Sequence, residues 1–199
     1  MKVLKRTVMA ILMCGALLAQ QLPPREGWKD LGMGAFSNDN RDILMAVDAS
    51  LVDLEMKSPY VAFIVYMAPF KENQDITIGR DNLVMIYQGQ EYKMPSIQEL
   101  RKDYKGEIRD INMYRHLGKE GIIASWIRFY DFPRRSDFFP ALTMGAPLPI
   151  DEGSMYNFIG FRTKAYFKNP GLKKGDKLTI KAWDKTHSEI SGECDVIIK

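Results

Sequence analysis

The chain has 199 residues, of which 28 are basic, 25 are acidic and 46% are hydrophobic. This length is sufficient for one domain that buries a large fraction of its surface. Three of the basic residues, Lys2, Lys5 and Arg6, lie at the very start, so the rest of the chain carries 25 side chains of each sign. Because a balanced chain has no general basic stripe, we predict neither nucleic acid nor an anionic membrane as a partner.

The first 19 residues have the pattern of an export signal. A positive start precedes a mostly apolar run at residues 7–18, and Pro23 and Pro24 follow soon after it. This run is too short for a transmembrane helix, which needs about 20 consecutive apolar residues. We therefore predict a signal peptide at residues 1–19, cleaved after Ala19, and no membrane span. The expected location is extracytoplasmic, either periplasmic or secreted.

Cys14 leaves an alternative open for the same leader. Residues 11–15 are similar to the lipobox of bacterial lipoproteins, in which the cysteine is lipidated and becomes the mature N-terminus. That motif usually has a small residue before the cysteine, where this chain has Met13. Lipidation of Cys14, which would anchor the protein to a membrane, is thus the alternative to simple cleavage. A chain cut after Ala19 keeps only Cys194 and can form no internal disulfide.

The chain after the leader is predicted to be mainly β. Residues 20–41 are rich in Gly, Pro and Asn and predict an irregular lead-in to a single domain at residues 42–199. Alternating or continuous apolar residues predict strands at residues 50–57, 60–67, 76–78, 83–87, 121–130, 159–167, 178–182 and 196–198. The run at residues 60–67 is typical of a central strand, and the turn residues 88–90 predict a hairpin.

Two segments interrupt the β pattern. Residues 96–116 have apolar residues three and four positions apart, which predicts a helical insertion. Ser96 and Glu99 at its start form the sequence pattern of a capping box. Residues 131–153 contain four prolines and predict a long irregular stretch.

Strands joined by Gly, Asn and Pro turns, with one short helical insertion, favour an antiparallel β-sandwich. The order of residues 60–67, then residues 81–87 with Gly89 and Tyr92, then a Gly-Asp turn at residues 175–176 resembles the telokin-like, immunoglobulin-fold domains of exported bacterial proteins. The resemblance implies an immunoglobulin-like β-sandwich that acts as an extracytoplasmic binding or structural module. It supplies no catalytic residues.

The sequence contains no recognised catalytic or metal motif. His187 lies near Asp184 and Glu189 in a charged, turn-like segment, but their spacing fits no common zinc or iron site. Cys194 has acidic neighbours, which disfavour a thiolate nucleophile and favour a buried strand cysteine. We predict no metal, no cofactor and no enzymatic activity. The alternative is an envelope hydrolase with carboxylates that the sequence does not nominate.

Aromatic and basic side chains alternate in residues 126–139, and both types are enriched at binding hot spots. The predicted contact residues are Arg128, Tyr130, Phe132, Arg134, Arg135, Phe138 and Phe139. A structural alternative is that Phe138 and Phe139 pin a loop at residues 131–140, while the arginines pair with nearby aspartates.

The predicted function is an exported, non-catalytic binding or assembly module of the bacterial cell envelope. An envelope protein is the expected partner, and residues 131–140 are the expected contact surface. The alternative within the same class is a carbohydrate-binding domain in which these aromatic residues stack on sugar rings.

Overall fold

The structure is a computed structural model that describes residues 27–39, 41–54, 56–104, 131–135, 138–139 and 150–199, with residues 131–135 described by their backbone. These residues form two short α-helices, α1 (Ser50–Leu54) and α2 (Ile97–Asp103). Their strands are β1 (Trp28–Gly32), β2 (Ala35–Asn38), β3 (Ile43–Asp48), β4 (Tyr60–Pro69), β5 (Asp75–Gly79), β6 (Leu83–Tyr87), β7 (Gln90–Lys93), β8 (Asp131–Arg135), β9 (Glu152–Tyr156), β10 (Ile159–Lys168), β11 (Lys177–Trp183) and β12 (Ser191–Ile197).

Most of the described strands belong to one large sheet, in the order β1-β2-β3-β4-β10-β9-β5, with β8 alongside β10. Neighbouring strands are antiparallel except for β8 and β10, which are parallel. β4 lies between β3 and β10, and all ten of its residues are buried. A strand covered on both faces reads as a continuous apolar run. The prediction of a central strand at residues 60–67 is therefore confirmed.

A small sheet has the strand order β12-β11-β6-β7. Along β11, buried residues alternate with half-buried ones, so one face packs on the core and the other faces outward. The hairpin predicted at residues 88–90 is confirmed, because β6 and β7 pair in antiparallel fashion across this turn. Gln88 and Gly89 both adopt positive φ, as the two central residues of a type I′ hairpin turn do.

Side chains from the first strands of the large sheet bind the last strand of the small sheet. The indole Nε1 of Trp28 donates a hydrogen bond of 2.8 Å to the carbonyl oxygen of Asp195. The amide Nδ2 of Asn38 donates one of 2.8 Å to the carbonyl oxygen of Glu193. The outer edge of β12 is therefore closed by side chains where a neighbouring strand would otherwise bind.

The prediction of a mainly β chain with antiparallel sheets is confirmed, and the two packed sheets are compatible with a sandwich. The start of the helical insertion is also confirmed, since α2 begins after Ser96 with a complete capping box. Ser96 Oγ accepts from the amide of Glu99, and the Glu99 carboxylate accepts from the amide of Ser96. Residues 105–116 of the predicted insertion and the strand predicted at residues 121–130 lie outside the described residues.

The strand predicted at residues 50–57 is wrong, because α1 occupies its first half. The cause is a local turn after β3. The buried carboxylate of Asp48 accepts a hydrogen bond of 2.8 Å from the amide of Ser50, which bends the chain out of the strand direction. Leu51 and Val52 are then both buried, although a strand with one exposed face would turn one of them outward.

The lead-in predicted as irregular at residues 20–41 contains two strands in its described part, β1 and β2. Met33 and Gly34, which connect them, both adopt positive φ in a tight turn. Sequence alternation does not indicate these strands, because all four residues of β2 are buried and β1 exposes the adjacent Lys29 and Asp30. Polar residues at these positions suit an edge strand.

The stretch predicted as irregular at residues 131–153 begins with β8 and ends in β9. β8 contains Pro133, which cannot donate to a ladder. The register of β8 against β10 shifts between Ile159 and Phe161, so the proline falls at a bulge, where a strand tolerates a residue without an amide donor.

The predicted signal peptide at residues 1–19, including Cys14, lies outside the described residues. In the described part of the chain, none of the helices combines the length and the hydropathy needed to cross a membrane.

Candidate interaction surface

The predicted contact residues fall into three groups. Arg128 and Tyr130 lie outside the described residues. Phe132, Arg134 and Arg135 lie in β8, which is described by its backbone. Phe138 and Phe139 are buried, with exposed fractions of 0% and 1%. The expectation that these two rings face a partner is corrected, because both pack into the core, as the structural alternative proposed.

Arg80 holds Phe138 and Phe139 in place. Its guanidinium Nη2 donates hydrogen bonds of 3.0 Å to the carbonyl oxygen of Phe138 and 3.1 Å to that of Ile150. Its Cζ lies 4.8 Å from the centre of the Phe139 ring and 5.9 Å from that of Phe138. Burial lowers the pKa of Arg80, while the carboxylates of Asp151 and Asp81 act in the opposite direction. The group stays cationic at neutral pH, because an arginine pKa begins far above it. Arg80 is therefore a structural anchor.

Four large apolar side chains are exposed at one end of the large sheet. Phe70 follows β4 and is 43% exposed, while Tyr156, Phe158 and Ile159 surround the turn between β9 and β10 and are 48%, 37% and 48% exposed. β4 and β10 are antiparallel neighbours, with Met67 opposite Phe161, so the end of β4 lies beside the start of β10. We call Phe70, Tyr156, Phe158 and Ile159 the tip cluster.

Two asparagines join the turns that carry the tip cluster. The side-chain oxygen of Asn157 accepts a hydrogen bond of 2.6 Å from the amide of Asn73, and the Tyr156 hydroxyl donates one of 3.3 Å to the side-chain oxygen of Asn73. Both asparagines adopt positive φ, which Asn tolerates better than most residues. The backbone beneath the exposed rings is therefore held in one arrangement.

The tip cluster lies next to β8, which belongs to the contact surface predicted at residues 131–140. Ile159, at the start of β10, pairs with Asp131 at the start of β8. From there β8 follows β10 in parallel as far as the pair of Arg162 with Arg135. The surface at this end of the sheet therefore continues from the tip cluster onto the backbone of β8.

Asp184 is a buried carboxylate at a second edge of the large sheet. Its Oδ2 accepts a hydrogen bond of 2.7 Å from the amide of Thr77 in β5, and its Oδ1 accepts from the amides of Thr186 and His187 at 2.9 and 2.7 Å. The amide of Lys185 donates to the carbonyl oxygen of Thr77 at 2.8 Å. Asp184 and Lys185 together close the outer edge of β5.

The electrostatics of Asp184 follow from these bonds. Burial raises its pKa, but the hydrogen bonds from three backbone amides and the nearby His187 outweigh that effect and leave the pKa below its ordinary value. His187 Nδ1 lies 3.4 Å from Asp184 Oδ1, and its ring is exposed. The carboxylate thus serves mainly to hold a turn.

Other side chains with reactive or metal-binding groups have structural roles. Cys194 is buried in β12, which confirms the prediction of a buried strand cysteine. Asp39 and Asp42 form exposed ion pairs with Lys29 and Lys71. In the described ranges, no group of three or more His, Cys, Asp or Glu side chains could hold a metal ion.

The tip cluster was missed because its residue Ile159 resembles a core residue in the sequence. Ile159 fits the same alternation as the buried Phe161, and only its place at the first position of β10 exposes it. A usable signal was the asparagine between Tyr156 and Phe158, since a turn residue flanked by aromatic residues marks a loop that carries apolar side chains.

No family model matches the chain, and comparison with the curated proteins and with the solved structures finds no significant match.

Proposed function

We propose that this chain is an exported, non-catalytic binding module of the bacterial cell envelope, which docks on a protein partner through the tip cluster. The observation that carries the proposal is the grouping of four exposed, large apolar side chains on two turns joined by hydrogen bonds. Apolar residues scattered singly over a surface need no explanation, but a group of them marks an interaction site. The export part rests on the leader pattern at residues 1–19.

The chemistry and rigidity of the tip cluster suit a protein interface. Tyr and Phe supply large contact areas with few rotatable bonds, and aromatic residues are enriched at hot spots. Because the Asn73 to Asn157 bond already fixes the turns, docking would order little additional backbone. The non-catalytic part is supported by the structural use of Asp184, whose carboxylate is occupied by backbone amides.

We also propose that the two sheets form an immunoglobulin-like sandwich, as the resemblance implies. The support is the packing of two mostly antiparallel sheets, with side chains of β1 and β2 bonded to β12. A solved structure of the chain that showed another strand topology would overturn this part and leave the binding proposal intact.

Affinity capture of the tagged mature protein from its native envelope, after mild crosslinking, tests the function. The test variant is Tyr156→Ser with Phe158→Ser. The matched control is Met33→Ser, because Met33 is 59% exposed in the turn between β1 and β2, near the opposite end of the large sheet. Circular dichroism and urea unfolding confirm that both variants fold.

A partner recovered with the native chain and with Met33→Ser, but lost with the double variant, would support the proposal. Equal recovery with the double variant would refute the tip cluster as the contact surface. Recovery of no partner by the native chain would refute the protein-binding function, and a rise in melting temperature with soluble glycans would then identify the carbohydrate-binding alternative.

A further inference from the structure

Two exposed acidic residues lie beside the tip cluster. Glu72 and Asp75 are exposed beside it, and neither has an ion-pair partner among the residues that the structure describes. The cation of the same turn, Lys71, lies 2.8 Å from Asp42 and is already paired. Among the side chains that the structure describes, those bordering the apolar rings therefore carry more acidic than basic charge.

Both unpaired carboxylates lie close to Tyr156. Asp75 is the residue directly opposite Tyr156 in the pairing of β5 with β9. Glu72 immediately precedes Asn73, whose side chain accepts the hydrogen bond of the Tyr156 hydroxyl. Any partner that covers the Tyr156 ring must also approach these two acids.

Two described basic side chains near these strands are engaged elsewhere. Lys185, whose amide binds β5, has its Nζ 2.7 Å from the carboxylate of Glu152. Arg162, further along β10, has its Cζ 5.9 Å from the centre of the Tyr66 ring. Of the described basic side chains near these strands, neither Lys185 nor Arg162 therefore neutralises Glu72 or Asp75.

We propose that the tip cluster selects a protein partner whose apolar pocket is bordered by lysine or arginine. This inference rests on the proposed function and names the chemistry of the partner. Complementary charge at the rim of an interface speeds association and rejects partners of the wrong sign. An anionic lipid surface would be repelled by the same acids, so a protein with a basic rim fits the surface better than a membrane does.

Two synthetic peptides provide the test. They share one central group of Leu and Phe residues, which is flanked by lysines in one peptide and by glutamates in the other. Binding to the isotope-labelled mature protein is followed by the amide chemical shifts of the tip cluster. At about 10 mM salt, where the screening length is about 30 Å, we expect tighter binding of the lysine peptide.

We expect an affinity ratio of about fivefold between the peptides, since two exposed ion pairs each contribute modestly. The ratio should fall towards one at about 1 M salt, where the screening length is about 3 Å. Glu72→Gln with Asp75→Asn should remove the preference for lysine and leave the shared apolar binding. Phe158→Ser should weaken binding of both peptides.

Equal affinity for the two peptides, or tighter binding of the glutamate peptide, would overturn this inference while leaving the envelope capture experiment to decide the proposed function. Chemical shifts of the tip cluster that respond to neither peptide would count against both proposals. Binding to vesicles of phosphatidylcholine and phosphatidylglycerol that is lost in Phe158→Ser would replace the protein partner with a membrane.

Discussion

Arg80 lies against Phe139, with its Cζ 4.8 Å from the ring centre, and binds backbone carbonyl oxygens on both sides of residues 140–149. Lysine carries the same charge but lacks the planar guanidinium, which lies against aromatic rings and holds its donors in a fixed geometry. We expect Arg80→Lys to lower the free energy of unfolding by about 2–3 kcal/mol, the loss typical of hydrogen bonds made by a charged group. Urea unfolding measures the change.

The control for this substitution is Arg41→Lys. Arg41 is exposed and its Nη2 lies 3.2 Å from the Glu193 carboxylate, so the loss should stay below about 1 kcal/mol. Similar losses for the two variants would show that Arg80 is not an anchor.

Asp184→Asn should destabilise the chain. The amide group of asparagine replaces an oxygen that accepts hydrogen bonds with a nitrogen that donates them, so at least one backbone amide among Thr77, Thr186 and His187 loses its acceptor. We expect the free energy of unfolding to fall by about 1–3 kcal/mol at neutral pH. Glu189→Gln, an exposed change in the same loop, is the control and should leave stability unchanged.

The contribution of Asp184 should also depend on pH. Its pKa in the folded chain lies below the ordinary value of 3.8, so the carboxylate stabilises the fold above that pH. This stabilisation is lost as the pH falls through the lowered folded pKa. Urea unfolding at a series of acidic pH values should show the difference between native chain and Asp184→Asn shrinking below pH 3.8. A difference that stays constant or grows there would contradict the assignment.

Gly192→Ala should destabilise the contact between the sheets. A Cβ at this position would collide with the backbone oxygen of Ile43 and lie 2.8 Å from the Ile43 Cβ. Because the backbone cannot move aside as a flexible side chain can, we expect a loss of about 1–3 kcal/mol in the free energy of unfolding. The neighbouring change Ser191→Ala should have little effect. An unchanged urea midpoint for Gly192→Ala would mean that the two sheets approach less closely.

Replacement of Phe161 should lower stability, whereas replacement of Phe158 should weaken partner binding. Phe161 is 1% exposed and its ring centre lies 6.2 Å from that of Phe138, so Phe161→Ala should cost about 3–5 kcal/mol of stability. Phe158 is in the tip cluster, and Phe158→Ala should change stability by less than about 1 kcal/mol while it weakens partner binding. Parallel thermal unfolding and capture experiments separate the two effects. A large loss of stability in Phe158→Ala would identify its ring as part of the core.

Local signals were sufficient for some elements of this fold. The capping box of Ser96 and Glu99 operates within four residues, so the start of α2 could be predicted. The apolar run of β4 marks a strand buried on both faces wherever its neighbours come from. The turn at Gln88 and Gly89 carries its own conformational preference and predicted the hairpin.

Other features depend on contacts that the sequence does not display. Ile159 and Phe161 follow the same alternation, yet Ile159 is 48% exposed and Phe161 is 1% exposed, because Ile159 is the first residue of β10 at the end of the sheet. β1 is a strand because it pairs with β2 and because the Trp28 indole donates a hydrogen bond to β12. The polar residues of β1 do not indicate either contact. Pro133 disfavours a strand in the sequence, because the bulge that accommodates it depends on pairing with β10.

The bonds from Trp28 and Asn38 to β12 also constrain when folding can finish. They join residues separated by 167 and 155 positions, and their acceptors, Asp195 and Glu193, are among the last residues of the chain. During synthesis from the N-terminus, β1 and β2 therefore cannot form these bonds until nearly the whole chain has been made. Contacts of such long range slow folding. During this delay the exposed Lys29 and Asp30 of β1 should lower the risk of aggregation, because charged edge residues discourage pairing with other chains.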